Sequence, residues 1–291
     1  MITDSFFHQG TSHEVCEDYA LTGPDYAIVC DGCSNGGGPS IDSDWGARFL
    51  AKAAEYRLEH LGAGRHMPFY ESVLTTTTVA CAAVPKLNPE CITSTLMVVK
   101  KDDEDFLISV MGDGTAGVRM RNGTWIILNW EFLPGGTTES AAPFYLRYLA
   151  SEEMINSYFK LFGNQFRLTM YRARRLADLT KDPDKLETVG TIRPDGPYFH
   201  ARFPIEDHDF AFVATDGLAS FQQKVVTAGS KTTEAVGLLA TLEVMFNELG
   251  HRRQGFLRLQ RNWAFKRSQK GTFLERGWSN YDDLAIGAIS A

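Results

Sequence analysis

Apolar residues fall along the chain in two rhythms. A continuous apolar run at 26–30 has the composition of a strand buried on both faces, 93–99 is rich in β-branched and apolar residues, and further apolar, strand-like stretches lie at 106–111, 210–214 and 284–289. Elsewhere the period lengthens to that of a helix. Asp42 or Ser43 can cap a helix that runs to about Leu61 and stops at Gly62. Its polar stripe, Arg48, Lys52, Glu55 and Glu59, marks the solvent face, which assigns Trp45, Phe49, Ala53 and Tyr56 to the side that packs on a sheet. A second helix is predicted over 70–83, ending before Pro85. Apolar stretches at 118–120 and 125–128 flank Asn122-Gly123, a strong hairpin signal. Asn122-Gly-Thr124 also fits a glycosylation sequon, but without export the turn explains it better.

The pattern is weakest over 130–200. Leu133-Pro-Gly-Gly136 marks a loop, 150–180 reads as helical with Tyr158, Phe159, Phe166 and Tyr171, and Pro183, Pro194, Gly196 and Pro197 punctuate the remainder. A flap or small subdomain within one domain over 1–291 accounts for it. Residues 233–249, stopped by Gly250, are predicted as a buried helix and 253–267 as a basic one. No repeat period points to a solenoid or propeller.

Composition narrows the class. A chain of 291 residues with 44% hydrophobic content can bury a full core and is neither disordered nor collagen-like. No apolar run reaches the roughly 20 residues of a membrane span, and Met1-Ile-Thr-Asp-Ser lacks the character of a signal peptide. A cytoplasmic protein without membrane contact is expected. The net charge of −7 argues against nucleic acid as a partner. Basic residues are nonetheless concentrated, with seven Lys/Arg and no acid in 251–270 and a second group at Arg172, Arg174 and Arg175. A solvated helix face is the ordinary explanation, and recruitment of an acidic partner the alternative. The five cysteines are expected as free thiols. Cys30-Asp-Gly-Cys33 matches C-x-x-C, but it follows a strand instead of opening a helix, and no second Cys or His pair completes a zinc site.

The remaining signal is acidic. Glu17-Asp18 precedes an apolar stretch, Asp31 follows one, Gly112-Asp113-Gly114 and Asp216-Gly217 follow others, and Asp282-Asp283 precedes the last. Any one of these is ordinarily a turn. Together they gather carboxylates at strand ends, where burial and mutual repulsion call for a cation. Oxygen ligands without His or Cys select hard ions such as Mg²⁺ or Mn²⁺.

This ordered set, spanning almost the whole chain, resembles the metal-dependent protein phosphatase family of phosphatase 2C type. The resemblance implies an α+β fold, a four-layer α-β-β-α sandwich in which two mainly antiparallel sheets are flanked by helix pairs. It implies two Mg²⁺ or Mn²⁺ ions and a third, weaker one. Asp31 corresponds to the carboxylate bridging both ions, with the Gly32 carbonyl on one of them. Asp216 and Asp282 correspond to ligands of the first ion, Glu17 and Asp18 to the pair reaching the second, and Asp113 with Asp216 to the third site. Asp283 stands where many members have Asn and is expected to support or cap. The implied activity is hydrolysis of phosphoserine or phosphothreonine in a phosphorylated protein by a metal-bridging hydroxide, with the enzyme expected as a monomer.

Two departures stand out. Where most members carry a phosphate-binding Arg this chain has His13, preceded by Ser12, which resembles a microbial Ser-His branch; His13 is then the expected, pH-dependent phosphate anchor. Cys33 stands where many members carry a His taken as general acid. These departures leave two alternatives: a catalytically silent phosphatase-like binding module, and a phosphatase of a small phosphorylated metabolite. Hydrolysis of this kind needs no covalent phosphoenzyme, so Cys33→Ser is expected to retain both turnover and metal binding; loss of turnover with metal binding intact would assign Cys33 a chemical role.

Overall fold

The computed structural model describes residues 1–32, 43–61, 94–111, 114–123, 125–130, 199–227, 229–238, 240–243, 245–246, 272–273 and 278–291. In chain order its elements are β1 (Ile2–His8), β2 (Tyr19–Thr22), β3 (Tyr26–Cys30), α1 (Ser43–Leu61), β4 (Leu96–Asp102), β5 (Asp105–Met111), β6 (Gly114–Met120) and β7 (Trp125–Trp130). They continue with β8 (Phe199–Pro204), β9 (His208–Ala214), β10 (Phe221–Thr227), β11 (Ser230–Ala235), β12 (Thr272–Phe273), β13 (Trp278–Asn280) and β14 (Leu284–Ser290). The strands form a first sheet, β1-β14-β9-β6-β7, a second, β2-β3-β4-β5-β8, and a smaller third, β11-β10-β13-β12. Every ladder is antiparallel.

The two larger sheets pack face to face because their central strands are apolar on both sides. Ala27, Val29, Met97, Val99, Phe106 and Ile108 of the second sheet meet Ala116, Val118, Ala211, Val213, Ala285 and Ile289 of the first. A side chain at Gly287 would come within 2.8 Å of the Ala27 Cβ, so this glycine lets β14 and β3 approach closely. Alternate residues point outward and are covered by helix. Ile28, Cys30, Leu96 and Val98 lie under Ala47, Leu50, Ala51 and Ala54 of α1. On the opposite outer face Phe210, Phe212 and Ile286 lie under Leu238, Leu242, Met245 and Phe246, and Phe246 stacks on Phe210 at 4.5 Å. The β6–β7 hairpin turns at Asn122-Gly123, where Gly123 has φ +87° and donates its N–H to Met120 O over 2.8 Å.

Several expectations change. Helix α1 has the predicted bounds, but it buries Ala47, Leu50, Ala51 and Ala54, whereas Tyr56 is 51% exposed. Of the side expected to pack, Ala53 is buried with them and Phe49 is half-buried, so the correction falls on Tyr56: small side chains let the helix lie close to β3, and the alanine-rich flank is the one that does so. Residues 230–235 form a strand where a helix was expected from 233, and helix begins only after Gly237. Ser230–Ala235 carries Thr232 and Thr233, offers no apolar helical face, and pairs instead with β10 across a turn at Gly229, φ +83°. Strands β1, β8 and β10, and the third sheet, have too little apolar alternation to be read in advance. The helices expected at 70–83, 150–180 and 253–267, the glycine loop after Gly32 and most of 130–200 lie outside the described residues. Among the described residues no helix is long and apolar enough to cross a membrane.

Two histidines make stability pH-dependent. His208 is fully buried, with Nδ1 2.6 Å from Pro204 O and its ring edge-on to Phe203, and burial lowers its pKa. Burial pushes His8 down to about 4. Both are neutral when folded, while in the unfolded chain they titrate near 6.5. Protonation therefore favours unfolding: this share of stability is complete above pH 6.5 and is lost as pH falls, through about 4 for His8. Urea denaturation of wild type and His8→Gln is expected to show wild type losing on the order of 2 kcal/mol relative to the variant between about pH 7 and 4.5. A constant difference would contradict this assignment.

Candidate metal centre

The acids that the sequence singles out, so far as they are described, sit at one end of the two packed sheets. β2 starts after Asp18, β3 ends before Asp31, β9 runs into Thr215 and Asp216, and β14 starts after Asp283. Tyr19 pairs with Cys30, so Asp18 and Asp31 continue adjacent strands beyond the ladder, within reach of each other. The end of β3 is fixed to β4: Asp31 N–H donates to Thr95 Oγ1 over 3.0 Å, Thr95 N–H donates to Asp31 O over 2.9 Å, and Gly32 bridges to Ser94.

Asp18, like Asp283, is buried, at 3% exposure. Thr215 Oγ1 donates to its Oδ2 over 2.6 Å and accepts the Ala285 N–H over 2.8 Å. With an N–H already pointing at the Thr215 oxygen, the hydroxyl proton is directed to Asp18. Burial holds the Asp18 carboxyl well above the usual carboxylate range, and the charges of Asp283 and Asp216 push the same way; the Thr215 bond opposes them.

Asp283 organises the loop that carries Glu17 and His13. Its Oδ1 accepts the Gly10 N–H over 2.7 Å and its Oδ2 accepts the Glu17 N–H over 2.6 Å. Thr11 N–H donates to Asn280 O and Ser12 N–H to Tyr281 O, which aligns this loop with 280–283. Burial raises the pKa of Asp283, and its two backbone donors and His13 pull it back. His13 Nε2 lies 2.9 Å from Asp282 Oδ1, and its Nδ1 lies 3.5 Å from Asp283 Oδ2 and 3.7 Å from Glu17 Oε2. The exposed Asp216 heads a 3₁₀ turn, Asp216–Ala219. A side chain at Gly217 would lie 1.6 Å from Asp283 O, and one at Gly10 would lie 2.2 Å from Asp282 C, so both glycines permit close approach to the 282–283 backbone.

The structure thus gathers Asp18, Asp31, Asp216 and Asp283 around one another, and His13 with Glu17, Asp282 and Asp283. Asp113 and Cys33 lie outside the described residues. Among the described residues no three His, Cys, Asp or Glu side chains converge tightly enough to hold an ion as they stand. The donor set nevertheless fits a hard divalent cation: it is all oxygen, and the crowding around buried Asp18 is relieved by a proton or a cation. Sequence reasoning passed over Thr215, Gly10 and Ser220. A Thr between an apolar run and Asp-Gly is too common to stand out, and the cross-chain bonds of Gly10 and Ser220 leave no local trace.

A bacterial serine phosphatase has a similar structure over 100% of this chain and 97% of its own, at 12% identity and TM-score 0.50. An arginine-to-lysine variant of such a phosphatase aligns over the same shares at 12% identity and TM-score 0.52. The catalytic domain of the serine/threonine phosphatase PstP, solved with two manganese ions, aligns more loosely, at 10% identity and TM-score 0.49, covering 99% of this chain and 96% of its own; it carries no weight here. No family profile and no curated protein matches the sequence. The chain therefore has the fold of the bacterial serine phosphatases.

Thr215→Val should destabilise the protein by about 1–3 kcal/mol, because it removes a buried hydrogen-bond partner from both Asp18 and the Ala285 N–H. Thr215→Ser should recover most of the loss. Urea unfolding measures both, and a valine variant as stable as wild type would contradict the role given to this hydroxyl.

Proposed function

We propose that the protein is a metal-dependent phosphatase that hydrolyses phosphoserine or phosphothreonine in a phosphorylated protein. The observation that carries this reading is the crowding of Asp18, Asp31, Asp216 and Asp283 at the shared end of two sheets that have the fold of the bacterial serine phosphatases. The finer architecture belongs to the same proposal: a second helix on each outer layer, and a single catalytic unit over 1–291 with a flap within 130–200.

Asp31, Asp216 and Asp282 would hold one Mg²⁺ or Mn²⁺ ion, Asp31 with Glu17 and Asp18 a second, with the Gly32 carbonyl on one of these two, and Asp113 with Asp216 a third. Such ions supply an acidified water near neutral pH and neutralise charge on the phosphoryl oxygens. The chain's own residues do the positioning. Thr215 orients Asp18, Asp283 clamps the loop bearing Glu17, and Gly217 seats Asp216 against the 282–283 backbone. His13, held by Asp282, would exchange that partner for a phosphate oxygen and would bind it best when protonated.

Hydrolysis of p-nitrophenyl phosphate and of a phosphothreonine peptide is expected with Mn²⁺ or Mg²⁺ and lost with a chelator. Asp216→Asn should lower both rates by about a hundredfold or more, the scale expected when a ligand carboxylate is removed. An Asp216→Asn enzyme as active as wild type would overturn the site. A wild type inactive with either ion that still binds the phosphopeptide would favour the silent binding module.

A further inference from the structure

The third sheet grows directly out of the acid cluster. Phe221, the first residue of β10, follows Asp216 by five residues, and Asn280, the last of β13, precedes Asp282 by two. Phe221 pairs with Asn280, and Asp282 N–H donates to Ser220 Oγ over 3.1 Å. Strand β11 lies on the far side of β10 at the sheet's edge, and all six of its residues are exposed. Among the described residues no strand pairs with its outer side.

The register shows what that edge offers. Val236 N–H donates to Phe221 O over 2.9 Å, so Phe221 and Val236 are a hydrogen-bonded pair. Antiparallel alternation then makes 223–234, 225–232 and 227–230 hydrogen-bonded pairs and turns the N–H and C=O groups of Lys231, Thr233 and Ala235 outward. Cross-strand partners share a face. Lys224 opposite Thr233 and Lys231 opposite Val226 therefore put both lysines on one exposed face, together with Val226 at 67% exposure. Glu234 lies on the other face.

We propose that β11 is a docking strand, to which the extended segment around the substrate's phosphorylated residue adds as a further strand, with acidic side chains of that segment meeting Lys224 and Lys231. The proposal rests on the phosphatase reading of the neighbouring site. Three features commit it to this occupant: continuity with the acid cluster, a row of outward backbone donors and acceptors, and cationic charge on the face beside it. Ala235, opposite Gln222, is the end of β11 nearer the site, and Lys231 lies four residues farther out, about 13 Å at strand spacing. The preferred acids therefore lie about four residues farther from the phosphorylated residue than the substrate position opposite Ala235.

The experiment uses the full chain and three fluorescent phosphothreonine peptides, with acidic residues placed before the phosphorylated residue, after it, or absent. Binding is read by fluorescence anisotropy, and turnover as kcat/KM relative to that for p-nitrophenyl phosphate, which is too small to span the edge. Thr233→Pro removes an outward N–H without taking a donor from the β10 ladder, and Lys231→Glu reverses the charge. Each is expected to weaken binding of an acidic peptide and to lower the turnover ratio by about tenfold, with the lysine effect fading in about 0.5 M salt. Unchanged binding in both variants, no preference for acidic peptides, or no peptide binding by wild type overturns the docking strand. A wild type that binds the peptide through this edge but hydrolyses neither substrate overturns the phosphatase reading alone. Lysines on an edge strand also guard against self-pairing. A sedimentation mass that falls from dimer to monomer on Thr233→Pro would give the edge to a second copy and overturn the proposal.

Discussion

Carboxylates brought to the buried edge of two packed sheets repel one another, and the local structure is arranged around that repulsion. Asp18 is the acute case, because it is buried and has acids on several sides. The protein answers with a directed hydroxyl on Asp18 and backbone N–H groups committed to Asp283. Each relieves charge without filling the space between the acids. The arrangement is tense but preorganised, as a site for a strongly charged ligand should be.

The paired acids at 282–283 divide two tasks. Asp283 points inward and accepts backbone donors, so it sets the path of the 10–17 loop. Asp282, more exposed, meets His13. Exchanging the two roles would need the strand to slip by one residue, which Gly217 and Gly10 prevent by locking the 282–283 backbone between them.

How much of this was legible depended on whether its cause was local. Strands β3, β9 and β14 announced themselves because burial on both faces forces a continuous apolar run. The acids beside them were visible because a charge at the end of such a run is chemically conspicuous. The buried side of α1 was legible at Ala53 but not at Tyr56, because packing distance, which favours Ala47, Ala51 and Ala54, outweighs side-chain size. Strand β11 was missed because its six residues are exposed and bury no face. Thr215 became legible only when Asp18, distant in sequence, was seen beside it.

β14 lies between β1 and β9, and its pairing with β1 joins Ile2 to Ser290, a separation of 288 residues. Closing a ladder across so long a loop is entropically slow, and it cannot precede synthesis of the closing strand. Asp283, which clamps the Glu17 loop, and Asp282, which faces His13, both arrive with that strand. Until β14 inserts, Asp18 and Asp31 have neither the loop nor the neighbours that define the cluster. Assembly of the acid cluster therefore waits on β14, and a chain that has not yet placed that strand carries the separate acids but not the cluster.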